Sequence, residues 1–132
     1  MKKYSLSSEE RIKNKKDFEK LYNSSKAHIS ANQLLKAAYY IEEKNVPGKV
    51  KIAAAVSRKS GKAVWRNRVK RLIKEAYRKN KTQLTDKVRN KKILLLLVFS
   101  TYRLTEKKQP VVTLIDITDS IVELINKIYL EI

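Results

Sequence analysis

Residues 55–75 read Ala55-Val56-Ser57-Arg58-Lys59-Ser60-Gly61-Lys62-Ala63-Val64-Trp65-Arg66-Asn67-Arg68-Val69-Lys70-Arg71-Leu72-Ile73-Lys74-Glu75, and this stretch decides the fold. It opens on the end of an apolar strand, passes through a polar loop containing Gly61, and continues as a helix over residues 62–79. Spaced 100° apart, Trp65, Val69, Leu72, Ile73 and Ala76 fall on one stripe, which must be buried. The charges fill the remainder in two groups. Arg66, Lys70 and Lys74 stand at i, i+4 and i+8 along one flank, while Arg68 and Arg71, with Glu75 beside them, line the other; Asn67 and Arg78 lie between. A helix so built can touch two polyanionic surfaces, one on each flank.

Working outward, Asn14 is placed to cap a short helix in which Asp17 suits the N-terminal turn and Phe18, Leu21 and Tyr22 share a face; Ser24 and Ser25 end it. A short strand is expected around residues 27–30. From Gln33 to Ile41 the residues alternate, and Val50 to Ser57 reads as a second long strand after the Pro47-Gly48 turn, so the two are expected to form an antiparallel pair. The segment 82–91 is polar and reads as irregular. Ile93 to Phe99 is apolar without alternation, which implies a strand buried on both faces or centrally placed. From Thr113 onward, Leu114, Ile117, Ile121, Leu124, Ile125 and Ile128 recur at helical spacing as a core helix. The order is helix, strands, basic helix, strand, helix: an α/β fold of the two-layer α+β kind, in one domain over residues 1–132 with residues 1–10 expected to be flexible.

The chain of 132 residues carries 31 Lys and Arg against 13 Asp and Glu, a net charge of +18. Residues 1–57 hold a net +6, residues 58–81 a net +10 and residues 82–132 a net +2, so more than half of the excess sits in the basic loop and helix. With no cysteine, a disulfide scaffold, a thiolate metal site and a cysteine nucleophile are all excluded. No run approaches the roughly 20 apolar residues of a membrane span, and Glu9 and Glu10 interrupt any signal-like start, so a soluble, cytoplasmic protein without a membrane partner is expected. His28 is a lone histidine and the carboxylates are not clustered in sequence, so no metal ligation by the protein is expected.

A solvated face is the ordinary explanation of a charge run. Here the cations stand at i, i+4 spacing, where each pair repels by a few tenths of a kcal/mol, and a single Glu75 cannot balance them. Arg58, Lys59 and Lys62 add charge around the helix N-terminus, whose free amides suit a phosphate. Nucleic acid is the partner that fits. No helix-turn-helix partner precedes the basic helix, so RNA, with cations beside an aromatic platform, fits better than a DNA groove. Phe18, Tyr22 and either Tyr39 or Tyr40 can supply that platform, with Tyr77 a weaker candidate.

The stretch 55–75, and above all Arg66-Asn67-Arg68 followed by Lys70-Arg71, resembles the signature of the bacterial ribonuclease P protein component; Arg11-Ile12-Lys13, Asp17-Phe18 and Tyr22 extend the resemblance over most of the chain apart from the last thirty or so residues. Lys62 stands where that family usually has Asn, and Val98-Phe99-Ser100 lacks an expected Arg. The resemblance implies a split β-α-β fold with a left-handed crossover, and a protein that joins a catalytic RNA to remove the 5′ leader of precursor transfer RNA. It implies hydrolysis by the RNA and its bound Mg2+, with none bound by the protein alone. It places Arg66, Asn67, Lys70 and Lys74 in a leader cleft with Phe18, Tyr22 and Tyr39, and Lys59, Arg68 and Arg71 against the catalytic RNA, with Arg58 and Lys62 on that same side. Helix phase alone leaves open which RNA each flank meets. A structural RNA-binding protein such as a ribosomal component is the alternative that shares the charge and the helix.

Overall fold

The computed structural model describes residues 8–23 and 26–132; Ser24 and Ser25, where the first helix is expected to end, lie outside them, as do residues 1–7. The elements run α1 (Lys15–Asn23), β1 (Ala27–Ile29), β2 (Leu35–Glu43), β3 (Lys49–Ala55), α2 (Ala63–Asn80), α3 (Thr82–Lys91), β4 (Ile93–Thr101) and α4 (Leu114–Glu131), with 3₁₀ turns at Ser8–Glu10 and Arg58–Ser60. Asn14 caps α1 as its sequence implies, its Oδ1 accepting from the Lys16 amide at 2.9 Å. At α4, Thr113 and Asp116 form a capping box in which each side chain accepts from the other's backbone amide.

The four strands stand in the order β1-β2-β4-β3. β2 and β3 therefore do not form the antiparallel pair that their closeness in sequence implies. β4 lies between them, antiparallel to β2 and parallel to β3. The reason is in β4 itself. Leu95, Leu96, Leu97 and Phe99 are all fully buried, and successive side chains point to opposite faces, so only an interior position covers both sides.

Alternation on β4 divides the core in two. Ile93, Leu95, Leu97 and Phe99 join Trp65, Val69, Ile73 and Ala76 of α2, Leu84 and Val88 of α3 and the apolar stripe of α4 in the main core. On the other face, Leu96, with Leu94 and Val98 partly buried beside it, meets Ile12, Leu21 and Phe18 of the α1 region. Among the described residues the sheet thus carries three helices on one side, and α1 with Ile12 on the other, which leaves part of that second face open. Glu10 pairs with Lys81, and the Ile12 amide donates to the Ile52 carbonyl at 3.0 Å, so residues 8–12 are fastened along the outer edge of β3.

Segment 82–91 is helical, not irregular. Only Leu84 and Val88 within it are apolar, too few to show a period, yet both are fully buried, and the helix continues from α2 after a single linking residue, Lys81. Its far end is pinned by the Pro47–Gly48 turn. The Gly48 amide donates to the Arg89 carbonyl at 3.3 Å, and a Cβ at Gly48 would collide with the carbonyl oxygens of Val88 and Ile93.

Tyr77 is also placed differently from its reading as a weak stacking candidate. Its ring is fully buried beside Phe99, with centroids 6.0 Å apart. Burial, and secondarily the Glu10 carboxylate, push its hydroxyl pKa up, and among the described residues that hydroxyl has no hydrogen-bond partner. An unpaired buried hydroxyl costs about 1–3 kcal/mol. Tyr77→Phe is therefore expected to unfold at a higher temperature than the native chain and to bind RNA unchanged; thermal denaturation followed by circular dichroism checks the first and a binding isotherm the second.

Candidate nucleic-acid interface

Paired residues on neighbouring strands share a face, so the strand registers define rows of side chains on the α1 side of the sheet. From the end nearest α2 these run Ile29–Lys36–Ser100–Ala55, then Ala27–Ala38–Val98–Ala53, then Tyr40–Leu96–Lys51, then Glu42–Leu94–Lys49. α1 crosses the third and fourth rows: Phe18 and Leu21 pack with Leu96 and Tyr40, Asp17 lies 3.9 Å from Lys51, and Lys20 lies 3.3 Å from Glu42. The first row stays outside its cover, and in the second Val98 and Ala53 are only partly buried against the Leu21 and Leu96 cluster. The floor of these two rows is mostly Ala, Val and Ser, so it forms a shallow trough walled by α1, in which an extended chain can lie close to the sheet. Lys36 stands in that floor, half-buried, and forms no ion pair with any described residue.

Phe18 and Tyr22 sit on the trough wall, Phe18 half-buried and Tyr22 83% exposed, a ring left open to stacking. Tyr39 does not join them. It is 2% exposed on the opposite face, stacked against His28 with ring centroids 5.6 Å apart. Even-numbered residues of β2 face α1, so Tyr40 occupies the position that the resemblance gives to Tyr39, and Lys20 Nζ lies 5.8 Å from its ring centre. The Glu42 carboxyl, held below its ordinary pKa by hydrogen bonds from Lys44 and Lys20, marks the acidic end of this face.

α2 leaves from the corner of the sheet just past Ala55. Its two flanks point apart. Arg68 Nε donates to the Val112 carbonyl at 3.3 Å, which sets the Arg68 and Arg71 side toward the start of α4. The other flank carries Arg66, Lys70 and Lys74, all half-buried, and Tyr77 at its far end is close enough to Glu10 to feel its charge, so this flank runs along the β3 edge where residues 8–12 are fastened. Arg66 Nε is tied to the Gly61 carbonyl at 3.0 Å, which leaves the rest of its guanidinium at the trough corner. Asn67 is exposed between the flanks.

Arg58, Lys59 and Lys62 are exposed around the α2 N-terminus, where the amide of the N-cap residue Lys62 is already taken. Glu106 Oε1 accepts from the Lys62 amide at 2.8 Å, and the Glu106 amide donates to the Ser60 carbonyl at 2.7 Å. A carboxylate of the chain itself thus holds the first position that a phosphate could take there. Residue 106 is 44 positions away in sequence, so nothing local signals it. Among the described residues, no group of three or more His, Cys, Asp or Glu could hold a metal ion, and no helix is long and apolar enough to cross a membrane.

A family described as Ribonuclease P matches residues 6–111, the stretch holding the trough and both flanks of α2. The chain belongs to that family. Similar proteins named ribonuclease P protein component occur in Clostridium kluyveri, 43% identical over 53% of this chain and 58% of that protein, and in Clostridioides difficile, 46% identical over 52% and 56%. The aligned part thus spans a little under three-fifths of these relatives' length. Among solved structures, the ribonuclease P protein of Staphylococcus aureus superposes with a TM-score of 0.64 at 23% identity, covering 95% of this chain and 92% of that one. That of Thermotoga maritima gives 0.63 at 19% identity, covering 89% and 96%. The mixed α/β fold is therefore that of the ribonuclease P proteins.

The trough makes a direct prediction. Ala55 is exposed at the floor's α2 end, so Ala55→Glu is expected to change stability by less than about 0.5 kcal/mol, as surface substitutions do. It should nonetheless weaken binding of a single-stranded RNA several-fold, because it puts a carboxylate where phosphates would pass. Fluorescence anisotropy with a labelled oligonucleotide measures this, and unchanged affinity would show that the floor is not used.

Proposed function

We propose that the chain is the RNA-binding protein subunit of ribonuclease P, binding the catalytic RNA and the 5′ leader of precursor transfer RNA to promote endonucleolytic removal of the leader. The observation that carries this reading is the divergence of the two α2 flanks: Arg66, Lys70 and Lys74 along the β3 edge beside the trough, Arg68 and Arg71 on the side of α4. The leader takes the trough, stacking on Phe18 and Tyr22, with Tyr40 in place of Tyr39. Its phosphates meet Lys36, Arg66, Asn67 and Lys70 where the trough opens, and Lys74 further along the edge. The catalytic RNA takes the other flank, with Arg58, Lys59 and Lys62 extending it at the helix start.

Hydrolysis belongs to the RNA partner and its Mg2+ in this reading. The chain's carboxylates do not form a ligand set; several are engaged with lysines, Glu42 with Lys20 and Lys44, Glu10 with Lys81, Glu123 with Lys127. What the protein supplies is position. A leader fixed by stacking and by charge-assisted contacts holds the scissile phosphate near the metal-binding RNA, and added cations lessen the repulsion between two polyanions. A cytoplasmic location accords with this role.

Adding the full chain to a bacterial ribonuclease P RNA and a leader-bearing precursor at low Mg2+ is expected to raise turnover well above that of RNA alone, and no increase would refute the reading. Within the assembled enzyme, Arg68→Ala should weaken association with the catalytic RNA more than it weakens leader binding, whereas Phe18→Ala should do the reverse. Equal effects of both variants on both measurements would refute the division between flanks.

A further inference from the structure

The end of the sheet away from the α2 N-terminus carries a second group of cations. α3 ends in Arg89 and Lys91, and Lys92 follows as its C-terminal cap in the left-handed conformation, φ 56°. The Lys44 amide donates to the Lys92 carbonyl at 2.8 Å and the Gly48 amide to the Arg89 carbonyl, so backbone hydrogen bonds hold the α3 end and the β2–β3 loop together. Lys44, Lys91 and Lys92 border an open depression of about 530 Å³ with Asn45 and Glu43, and Arg89 lines the adjoining cleft with Lys49, Lys81, Glu9 and Glu10. Lys44, Lys49 and Lys81 are paired with Glu42, Glu9 and Glu10. Arg89, Lys91 and Lys92 are exposed, and among the described residues they form no ion pair.

Cations in a last helical turn complement the helix dipole, which accounts for Arg89 and Lys91 without any partner. Lys92 is not explained so. A left-handed cap favours glycine, and a lysine there gives up stability while adding like charge three residues from Arg89. The small net charge of the C-terminal third also conceals this group: residues 82–92 hold four cations against Asp86 alone, and residues 93–132 hold four against five carboxylates. α1 separates the site from the trough. The nine residues of β4 put about 27 Å between it and the α2 corner, so the two ends of the sheet are separate surfaces.

We propose that Arg89, Lys91 and Lys92, with Lys44, form a third RNA-phosphate contact, distinct from the trough and from both flanks of α2. The inference rests on the reading of the chain as a ribonuclease P subunit, and it adds a surface at the opposite end of the sheet.

The test is the salt dependence of binding of the full chain to a ribonuclease P RNA, for the native protein, the triple variant Arg89→Gln, Lys91→Gln, Lys92→Gln, and Lys92→Gly. Each phosphate contact contributes roughly 0.7 to 0.9 to the log–log slope, so the triple variant should lose about 2 and Lys92→Gly rather less than 1. Lys92→Gly should also melt at a higher temperature, since glycine relieves the left-handed cap, and a more stable protein that binds less well has no purely structural explanation. Repeating the series on the assembled enzyme with short and long leaders identifies the source. A slope lost with the catalytic RNA alone supports contact with that RNA; a slope lost only with long leaders supports contact with the upstream leader. Native-like slopes in both variants would overturn the third contact and leave the subunit reading intact. Failure of the native chain to bind the RNA or raise its turnover would overturn both.

Discussion

Burial of β4 on both faces is the constraint on which the rest of the structure depends. Four of its side chains, Leu95, Leu96, Leu97 and Phe99, are completely removed from solvent, each contributing about 1.5–3 kcal/mol relative to exposure. An edge position would forfeit part of that. The interior position pushes β2 and β3 apart, requires a long crossover through α2 and α3 to return the chain in parallel beside β3, and hence sets α2 at the corner where β3 ends. The basic helix is where it is because an apolar strand has to be in the middle.

The same strand creates the asymmetry that function needs. One face of the sheet is sealed by α2, α3 and α4, whereas among the described residues the other receives α1 and Ile12 just ahead of it, and the nine residues of α1 cannot cover a four-stranded sheet. The less covered rows are tolerable because, apart from Ile29 at the β1 edge, they are built of alanine, serine and valine with Lys36, exposing little apolar area. Small residues make the exposed face inexpensive in hydrophobic terms and leave it low enough to receive an extended chain, with Phe18 and Tyr22 standing beside it.

Electrostatics act on this frame without determining it. A net +18 is unfavourable for a compact chain, and several acidic residues are used where cations converge: Glu42 between Lys20 and Lys44, Glu10 on Lys81, Glu75 on Lys79, Glu106 at the α2 N-terminus. Both flanks of α2 are left without acidic partners beyond Glu75, and so is the end of α3. A polyanion bound there relieves repulsion that folding has left in place.

Much of this was legible from local pattern. The stripe from Trp65 to Ala76, the unalternated run of β4, the Asn14 cap of α1, the apolar stripe of α4 and the two flanks of α2 follow from local pattern, which involves only neighbouring residues. Tyr39 against Tyr40 was not legible, because alternation shows that the two face opposite ways and does not say which face the helices will cover. Segment 82–91 showed no period, because two buried side chains suffice for a helix that α2 has already nucleated. The exchange of a β2–β3 hairpin for a central β4, the arrival of Glu106 at a helix 44 residues upstream and the union of Lys44 with Lys92 are contacts between distant parts of the chain. The sequence by itself determined what each segment is and which of its faces is charged. Only the tertiary structure decided which faces meet, because that choice is made by the joint burial of all the apolar surfaces at once.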